Sequence, residues 1–213
     1  REDFIGVDAL LLEQALGRLS RASLVLAPMP GGGPARWLLQ WRTHWQAVDL
    51  SFSHARYGRD RLLALDLAGQ WADAGLRAEI TRTAPDQGRP RLSGVLGTDY
   101  AFSSRFSASL EWYWSSRPAA RLLPPRDPGQ PRPPQGGHYL GLSASYEITP
   151  LLKLQGLWLR NVDDGSRLLA PGLSWSPGEN AVLSAGLQRF GGAPGSEYGD
   201  GGRLAFVRYQ RYF

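Results

Sequence analysis

From Trp37 to the C-terminus, apolar and polar residues alternate with a period of two. That is the period at which successive side chains of a strand point to opposite faces of a sheet. Trp37, Leu39 and Trp41 share one face, with Leu38, Gln40 and Arg42 opposite. Val48, Leu50 and Phe52 oppose Asp49, Ser51 and Ser53, and Leu63, Leu65, Leu67 and Trp71 oppose Asp66 and Gln70. Leu76, Ala78 and Ile80 oppose Arg77, Glu79 and Thr81, and Leu92, Leu96 and Tyr100 oppose Ser93 and Asp99. Phe106, Ala108, Leu110, Trp112 and Trp114 oppose Ser107, Ser109, Glu111 and Tyr113. After a Pro-rich gap, Leu140, Leu142, Ala144 and Tyr146 oppose Ser143 and Ser145. Leu152, Leu154 and Trp158 oppose Lys153 and Gln155, although Leu157 and Leu159 interrupt that polar face. Leu169, Leu173 and Trp175 oppose Ala170, Gly172 and Ser174, and Ala181, Leu183, Ala185 and Leu187 oppose Ser184, Gly186 and Gln188. The last segment sets Ala205, Val207, Tyr209 and Phe213 against Leu204, Phe206, Arg208 and Gln210.

Upstream the pattern is less regular. Residues 1–7 read as irregular. Residues 8–19 fit a helical stripe (Leu12, Ala15, Leu16, Leu19) and a strand (Leu10, Leu12, Gln14, Leu16), and the β character downstream favours the strand. Residues 22–27 form a short strand, and the Pro- and Gly-rich run 28–34 a loop. The chain is thus expected to be one all-β domain over 1–213, without a repeat beyond the hairpin rhythm. Its strands are mostly of roughly 10 residues, the length a tilted strand needs to cross a bilayer.

The connections alternate in length. Tight turns are expected at 72–75, 102–104, 149–151 and 176–180, with longer polar loops at 54–60, 84–90, 117–137, 161–166 and 191–202. Short turns at one rim and long loops at the other are the asymmetry of outer-membrane barrels, periplasmic and extracellular respectively. With the short turns placed in the periplasm, Trp41, Trp71, Tyr100, Tyr146, Trp175 and Phe213 fall on the apolar face near periplasmic strand ends. Trp37, Trp112, Trp114 and Trp158 fall on the same face near the opposite ends. Two aromatic girdles bounding an aliphatic band are what a bilayer interface selects. The fold class expected is therefore an antiparallel up-and-down transmembrane β-barrel of about 12–14 strands, located in a bacterial outer membrane. The alternative fold is a soluble ligand-binding barrel with the aliphatic face turned inward.

Composition fits this. There are eight Trp and eight Tyr, no Cys, and nearly all the positive charge is Arg. The net charge of +5 comes from arginines dispersed along the chain rather than clustered on one element, which argues against a nucleic-acid partner. No run approaches the roughly 20 apolar residues of a spanning helix.

A terminal Phe213 closing an amphipathic strand resembles the C-terminal assembly signal of Gram-negative outer-membrane β-barrels, with Arg211 departing from it. That resemblance implies recognition by the barrel-assembly machinery through the last strand. The stretches Gly6-Val-Asp-Ala-Leu10, Ala74-Gly-Leu-Arg-Ala-Glu79 and Leu96-Gly-Thr-Asp-Tyr100 are similar to the later part of porin-like outer-membrane proteins of the alginate-export kind. Twelve or thirteen strands can be counted, where closed single-chain barrels have even numbers; either residues 1–7 contribute a further strand or this segment is the later part of a longer barrel, and the resemblance implies the second.

The expected lumen face carries Arg42, Asp49, Asp66, Arg77, Glu79, Asp99, Glu111, Lys153 and Arg208 among many Ser, Gly and Gln. Small polar residues there point to a wet interior, and charges on a pore wall set its selectivity; the same charges also brace the wall by pairing across strands. Near-balanced signs predict weak ion selectivity. The segment 117–137 has seven prolines and four arginines against Asp127; it reads as an extracellular loop, or as a basic constriction if folded inward. Arg61, Arg82, Arg160, Arg167 and Arg189 fall on the lipid face at extracellular strand ends. There they are expected to contact lipopolysaccharide phosphates, or to snorkel into headgroups. An enzyme is not expected. Only His44, His54 and His138 could serve as the usual base, and Asp66 with Glu79, or Asp99 near Ser107, read as wall charges. No metal-ligand spacing, phosphate-binding glycine loop or cofactor motif appears. The function expected is passive diffusion of small hydrophilic solutes; the alternative is a scaffold barrel sheathing a partner protein in its lumen or in the periplasm.

Overall fold

The computed structural model describes residues 8–28, 36–117 and 136–212. Among them are thirteen strands and no helix: β1 (Leu10–Ala15), β2 (Ser20–Ala27), β3 (Arg36–Trp45), β4 (Val48–Tyr57), β5 (Asp60–Trp71), β6 (Ala74–Ala84), β7 (Arg91–Ala101), β8 (Phe106–Ser115), β9 (His138–Thr149), β10 (Leu152–Asn161), β11 (Arg167–Gly178), β12 (Ala181–Gly191) and β13 (Arg203–Arg211). They form one antiparallel up-and-down sheet in sequence order, with β1 and β13 at its edges. Residues 8–19, open between helix and strand in the sequence, form β1 and the turn that follows it. Phe213 and residues 118–135, most of the long Pro-rich segment, lie outside the described residues.

The tight turns explain why consecutive strands pair. Gln46 and Ala72 adopt φ of 55° and 52°, and Gly58 a φ of 66°, each within a two-residue connection. Positive φ there gives the turn a twist that matches that of the strands it joins. One expectation is corrected at this level. Residues 54–60 are not a long loop: β4 runs through Tyr57 and turns at Gly58–Arg59. His54 and Arg56 keep the alternation intact, and their polarity masked it. Otherwise connections after odd-numbered strands span two to four residues and those after even-numbered strands are longer, as residues 85–90, 162–166 and 192–202 illustrate.

The chain divides into two compact units, residues 1–70 with 76–94, and residues 71–75 with 95–213. In the first, the apolar face runs in cross-strand rows such as Leu12, Leu24, Leu39, His54 and Leu63, and Gln14, Ala22, Trp41, Phe52 and Leu65. In the second, equivalent rows are Leu110, Leu142, Trp158 and Leu169, and Phe106, Tyr146, Leu154 and Leu173. Neither apolar face is covered. Leu39, Phe52, Leu65, Leu110, Leu142, Leu154 and Leu173 are all exposed, and Tyr139 is the one buried residue of hydrophobic class among those described.

The aromatics flank these rows unevenly. Trp71 is 76% exposed beside its turn, and Trp175 and Tyr146 lie near the same end of their strands. Trp41 sits mid-strand, level with Phe52 and Leu65, because β3 continues to Trp45. Trp45, exposed beside the β3–β4 turn, occupies the strand-end position expected for Trp41. Trp37 packs edge-on to His54, and Trp112 stacks on His138 with ring planes 10° apart.

Candidate functional site

Cross-strand pairing sets Arg42, Asp49 and Asp66, and in the second unit Glu111, Lys153 and Arg208, on the face opposite the apolar one. In the first unit Arg42, Ser51 and Asp66 form one cross-strand row, and Asp66 has Ser51, Glu79 and Arg42 as its polar neighbours. His44 Nδ1 lies 2.7 Å from Asp49 Oδ1 across the β3–β4 hairpin. Gln40 donates to both Ser51 and Ser53 at 3.1 Å, and Thr81 donates to Glu79 at 2.8 Å. Arg77 alternates with Glu79 along β6.

In the second unit Lys153 stands directly opposite Glu147, and Arg208 opposite Ser184. Ser109 and Ser143 share a 2.7 Å hydrogen bond between β8 and β9, on the face that also carries Glu111. The Asp99 carboxylate lies over Gly75; a Cβ there would come within 2.7 Å of its oxygen, so only glycine leaves the carboxylate in place. The expected wall residues thus fall in local groups, mostly mixed with hydroxyls and opposite charges, rather than in one constellation. Among the described residues no group of three or more His, Cys, Asp or Glu could hold a metal ion.

At the far end of β9 and β10 the polar face is built differently, and the sequence did not announce it. The connection 192–202 folds back onto this face. Glu197 accepts hydrogen bonds from the Tyr139 hydroxyl and from Asn161 Nδ2, the latter at 2.8 Å. Asn161 Oδ1 in turn accepts from the backbone N–H of Asp163 at 3.0 Å. The Asp164 carboxylate accepts from the N–H groups of Ser166 and Glu197, at 2.8 and 2.9 Å, tying the β10–β11 turn to the returning loop. The Tyr139 hydroxyl also accepts from Gly136 N–H at 2.6 Å. Asn161 is 1% exposed, Ser166 0% and Tyr139 6%. Beneath the loop lie Leu159, Leu168 and Phe190, one cross-strand row on the otherwise polar face, with Tyr198 packed against Phe190. Leu159, which breaks the alternation in sequence, lies in that row. It is the one local signal of this latch, the connection 192–202 held over β9 and β10 through Glu197.

The turn carboxylates are held charged. Partial burial pushes Asp163 upward, but hydrogen bonds from the His138 ring and from the Gly137 and His138 N–H groups outweigh it and leave it below the usual carboxylate range. Asp164 is lowered in the same way by the Glu197 and Ser166 N–H groups against its burial. Burial, then the nearby Glu197 and Asp164 charges, push Tyr198 up to about 12. A carboxylate whose folded pKa is depressed contributes stability above its unfolded pKa, near 4, that is lost as pH falls through the folded value. The β10–β11 turn should therefore loosen only below about pH 4. Hydrogen exchange at Gly137 and Ser166 should accelerate in that window, and Asp163→Asn should flatten the Gly137 response while leaving Ser166 acid-sensitive.

Of the five arginines expected at strand ends on the apolar face, the structure brings three together. Arg160 lies directly opposite Arg167, and Arg189 opposite Leu169 one step along β11. A fourth, Arg203, opposes Arg189 from β13; the alternation Ala205, Val207, Tyr209 extends back to it by one period. Arg61 belongs to the other unit, opposite Arg56, whose Nε donates to the Gly58 carbonyl at 2.9 Å. Arg82 lies on β6.

No protein-family profile matches this chain, and no curated protein matches it either. Its function rests on the geometry. Among the described residues no helix is long and apolar enough to cross a membrane, which says nothing about crossing by strands.

Proposed function

We propose that this chain forms the wall of a porin-like, outer-membrane β-barrel channel that admits small hydrophilic solutes by passive diffusion. One observation carries the reading. In each unit the antiparallel sheet presents an aliphatic and aromatic face on which many large side chains, Leu39, Phe52, Leu110 and Leu142 among them, are exposed and, among the described residues, none is buried. A soluble protein rarely leaves contiguous apolar surface beyond a few hundred Å² uncovered, whereas a bilayer covers such a face without any core. The opposite face, with its serines and mixed charges, is then the lumen wall, and Arg42, Asp49, Asp66, Arg77, Glu79, Asp99, Glu111, Lys153 and Arg208 set its field. The length asymmetry of the connections supports periplasmic turns and extracellular loops. The resemblance to alginate-export porins supports the same class, as does the resemblance of the last strand to a signal read by the barrel-assembly machinery.

The second reading, a scaffold barrel around a partner protein, draws on the latch: a loop folded onto the polar face narrows or fills the space beside it. In the channel reading that loop is a constriction near the extracellular mouth. Single-channel conductance of the refolded chain in a planar bilayer separates the two. Steady open steps are expected, with ion selectivity shifted by Arg77→Glu or Arg208→Glu. A folded, inserted protein without conductance would support the scaffold, and a chain that folds in water without detergent would refute the membrane assignment.

A further inference from the structure

We propose that Arg160, Arg167, Arg189 and Arg203 together bind the phosphate of a lipid headgroup on the apolar face of β10–β13. The proposal rests on the membrane reading and goes beyond it by naming a ligand and the residues that hold it. Cross-strand pairing sets Arg160 against Arg167 and Arg189 against Arg203. Like charges directly opposite one another on a sheet destabilise it, and here two such pairs lie in neighbouring rows. Among the described residues none of the four forms an ion pair with a carboxylate. Elsewhere in the chain arginines do find such partners: Arg21 lies 3.6 Å from Glu13 and Arg59 3.2 Å from Asp86. Among the described residues, the quartet therefore concentrates positive charge that no carboxylate offsets.

Between β10, β11 and β12 lies a hollow of about 220 Å³, lined by Trp158, Arg167, Leu169, Arg189, Phe190 and Gly191, with Arg160 and Arg203 standing opposite its two arginines on the adjoining strands. Its floor joins guanidinium groups to an indole and a leucine, and that mixed lining selects the ligand. A free anion would use the arginines and leave Trp158 and Leu169 in contact with water. A phosphate carrying acyl chains uses both, the phosphate taking bidentate guanidinium bonds while the chain follows the row Leu110, Leu142, Trp158 and Leu169. Arg61 and Arg82, expected in sequence to act alike, are outside this group.

The test uses the full refolded chain in dodecyl maltoside micelles with three probes: dioleoyl phosphatidic acid, dioleoylglycerol, which has the same chains without the phosphate, and inorganic phosphate alone. Melting temperature and lipid retained in native mass spectrometry are read for the parent and for the variant R160Q/R167Q/R189Q/R203Q. Phosphatidic acid should be retained and should raise the parent's melting temperature, and dioleoylglycerol should do neither. Each lost charge-assisted contact weakens binding roughly tenfold, so the variant should lose retention entirely at lipid levels that saturate the parent. In micelles without phosphate the variant should be no less stable than the parent, because its cross-strand repulsion is gone. Equal retention of phosphatidic acid by the variant, or an equal response of the parent to dioleoylglycerol, would overturn the site. A full response to inorganic phosphate alone would overturn the lipid assignment. Conductance distinguishes this failure from failure of the channel: the variant lies on the face away from the lumen and should conduct as the parent does, so binding lost by a conducting parent sinks only this site.

Discussion

Arginine placed at Leu142 is expected to destabilise the inserted protein by about 2–4 kcal/mol, the cost of a cation at the lipid-facing midplane of a barrel. Arginine one residue on, at Ser143, is expected to cost no more than its lost hydrogen bond to Ser109, about 1 kcal/mol. The asymmetry follows from the pleat. Leu142 shares its row with Leu110, Trp158 and Leu169, all on the face with no protein cover, whereas Ser143 lies opposite Ser109 on the polar face. Leu140→Arg, nearer the strand end beside Trp112, should cost less than about 1 kcal/mol, because the penalty falls toward the interface. Urea-driven unfolding from vesicles of defined thickness measures all three. Equal costs at Leu142 and Ser143 would remove the assignment of faces. Equal costs at Leu142 and Leu140 would remove the bilayer, since a protein core charges for burial irrespective of depth along the strand.

That the faces could be assigned from sequence at all is a consequence of geometry. A strand repeats every two residues, so Leu140, Leu142, Ala144 and Tyr146 identify their common face before any pairing is known. Strand number and most turns were legible for the same reason. Where legibility failed, local chemistry disguised the repeat. His54 and Arg56 are polar residues on the apolar face, so β4 looked finished four residues early. Trp41 resembled a strand-end aromatic only because Thr43 interrupts the apolar run before Trp45. The arginine quartet was three-quarters visible, because alternation fixes a residue's face and end; which arginines oppose one another needs the register, which sequence does not carry. Of the latch, only the break at Leu159 shows in the sequence. Tyr139 and Glu197 are 58 residues apart, and nothing local to Glu197 says that its loop turns inward.

The latch supplies the other large effect. Glu197→Ala removes the carboxylate that accepts from the Tyr139 hydroxyl and from Asn161 Nδ2, leaving two polar groups beneath the loop without that acceptor. Leaving a buried donor unsatisfied costs about 1–3 kcal/mol, so the variant should lose roughly 2–4 kcal/mol of loop-closure stability. Asn161→Ala should cost a similar amount for the opposite reason: it withdraws the Oδ1 acceptor of the Asp163 N–H along with the amide donor. Tyr139→Phe keeps the ring beneath the loop but loses its donation to Glu197 and its acceptance from Gly136, and should cost less. Because Tyr139 and Glu197 touch, the cycle Tyr139→Phe with Glu197→Gln should show a coupling of about 0.5–3 kcal/mol, whereas either change with Ser174→Ala, opposite Lys153 toward the other end of β11, should be additive. The loop opens by local unfolding, so hydrogen exchange at Glu197 and Tyr198 reads the loss while the strand ladders stay protected. If the loop constricts a pore, Glu197→Ala should also raise single-channel conductance and make it noisier, as the segment leaves the polar face and returns. Faster exchange with unchanged conductance would mean that the loop lies off the solute path and only braces the rim of β9–β11.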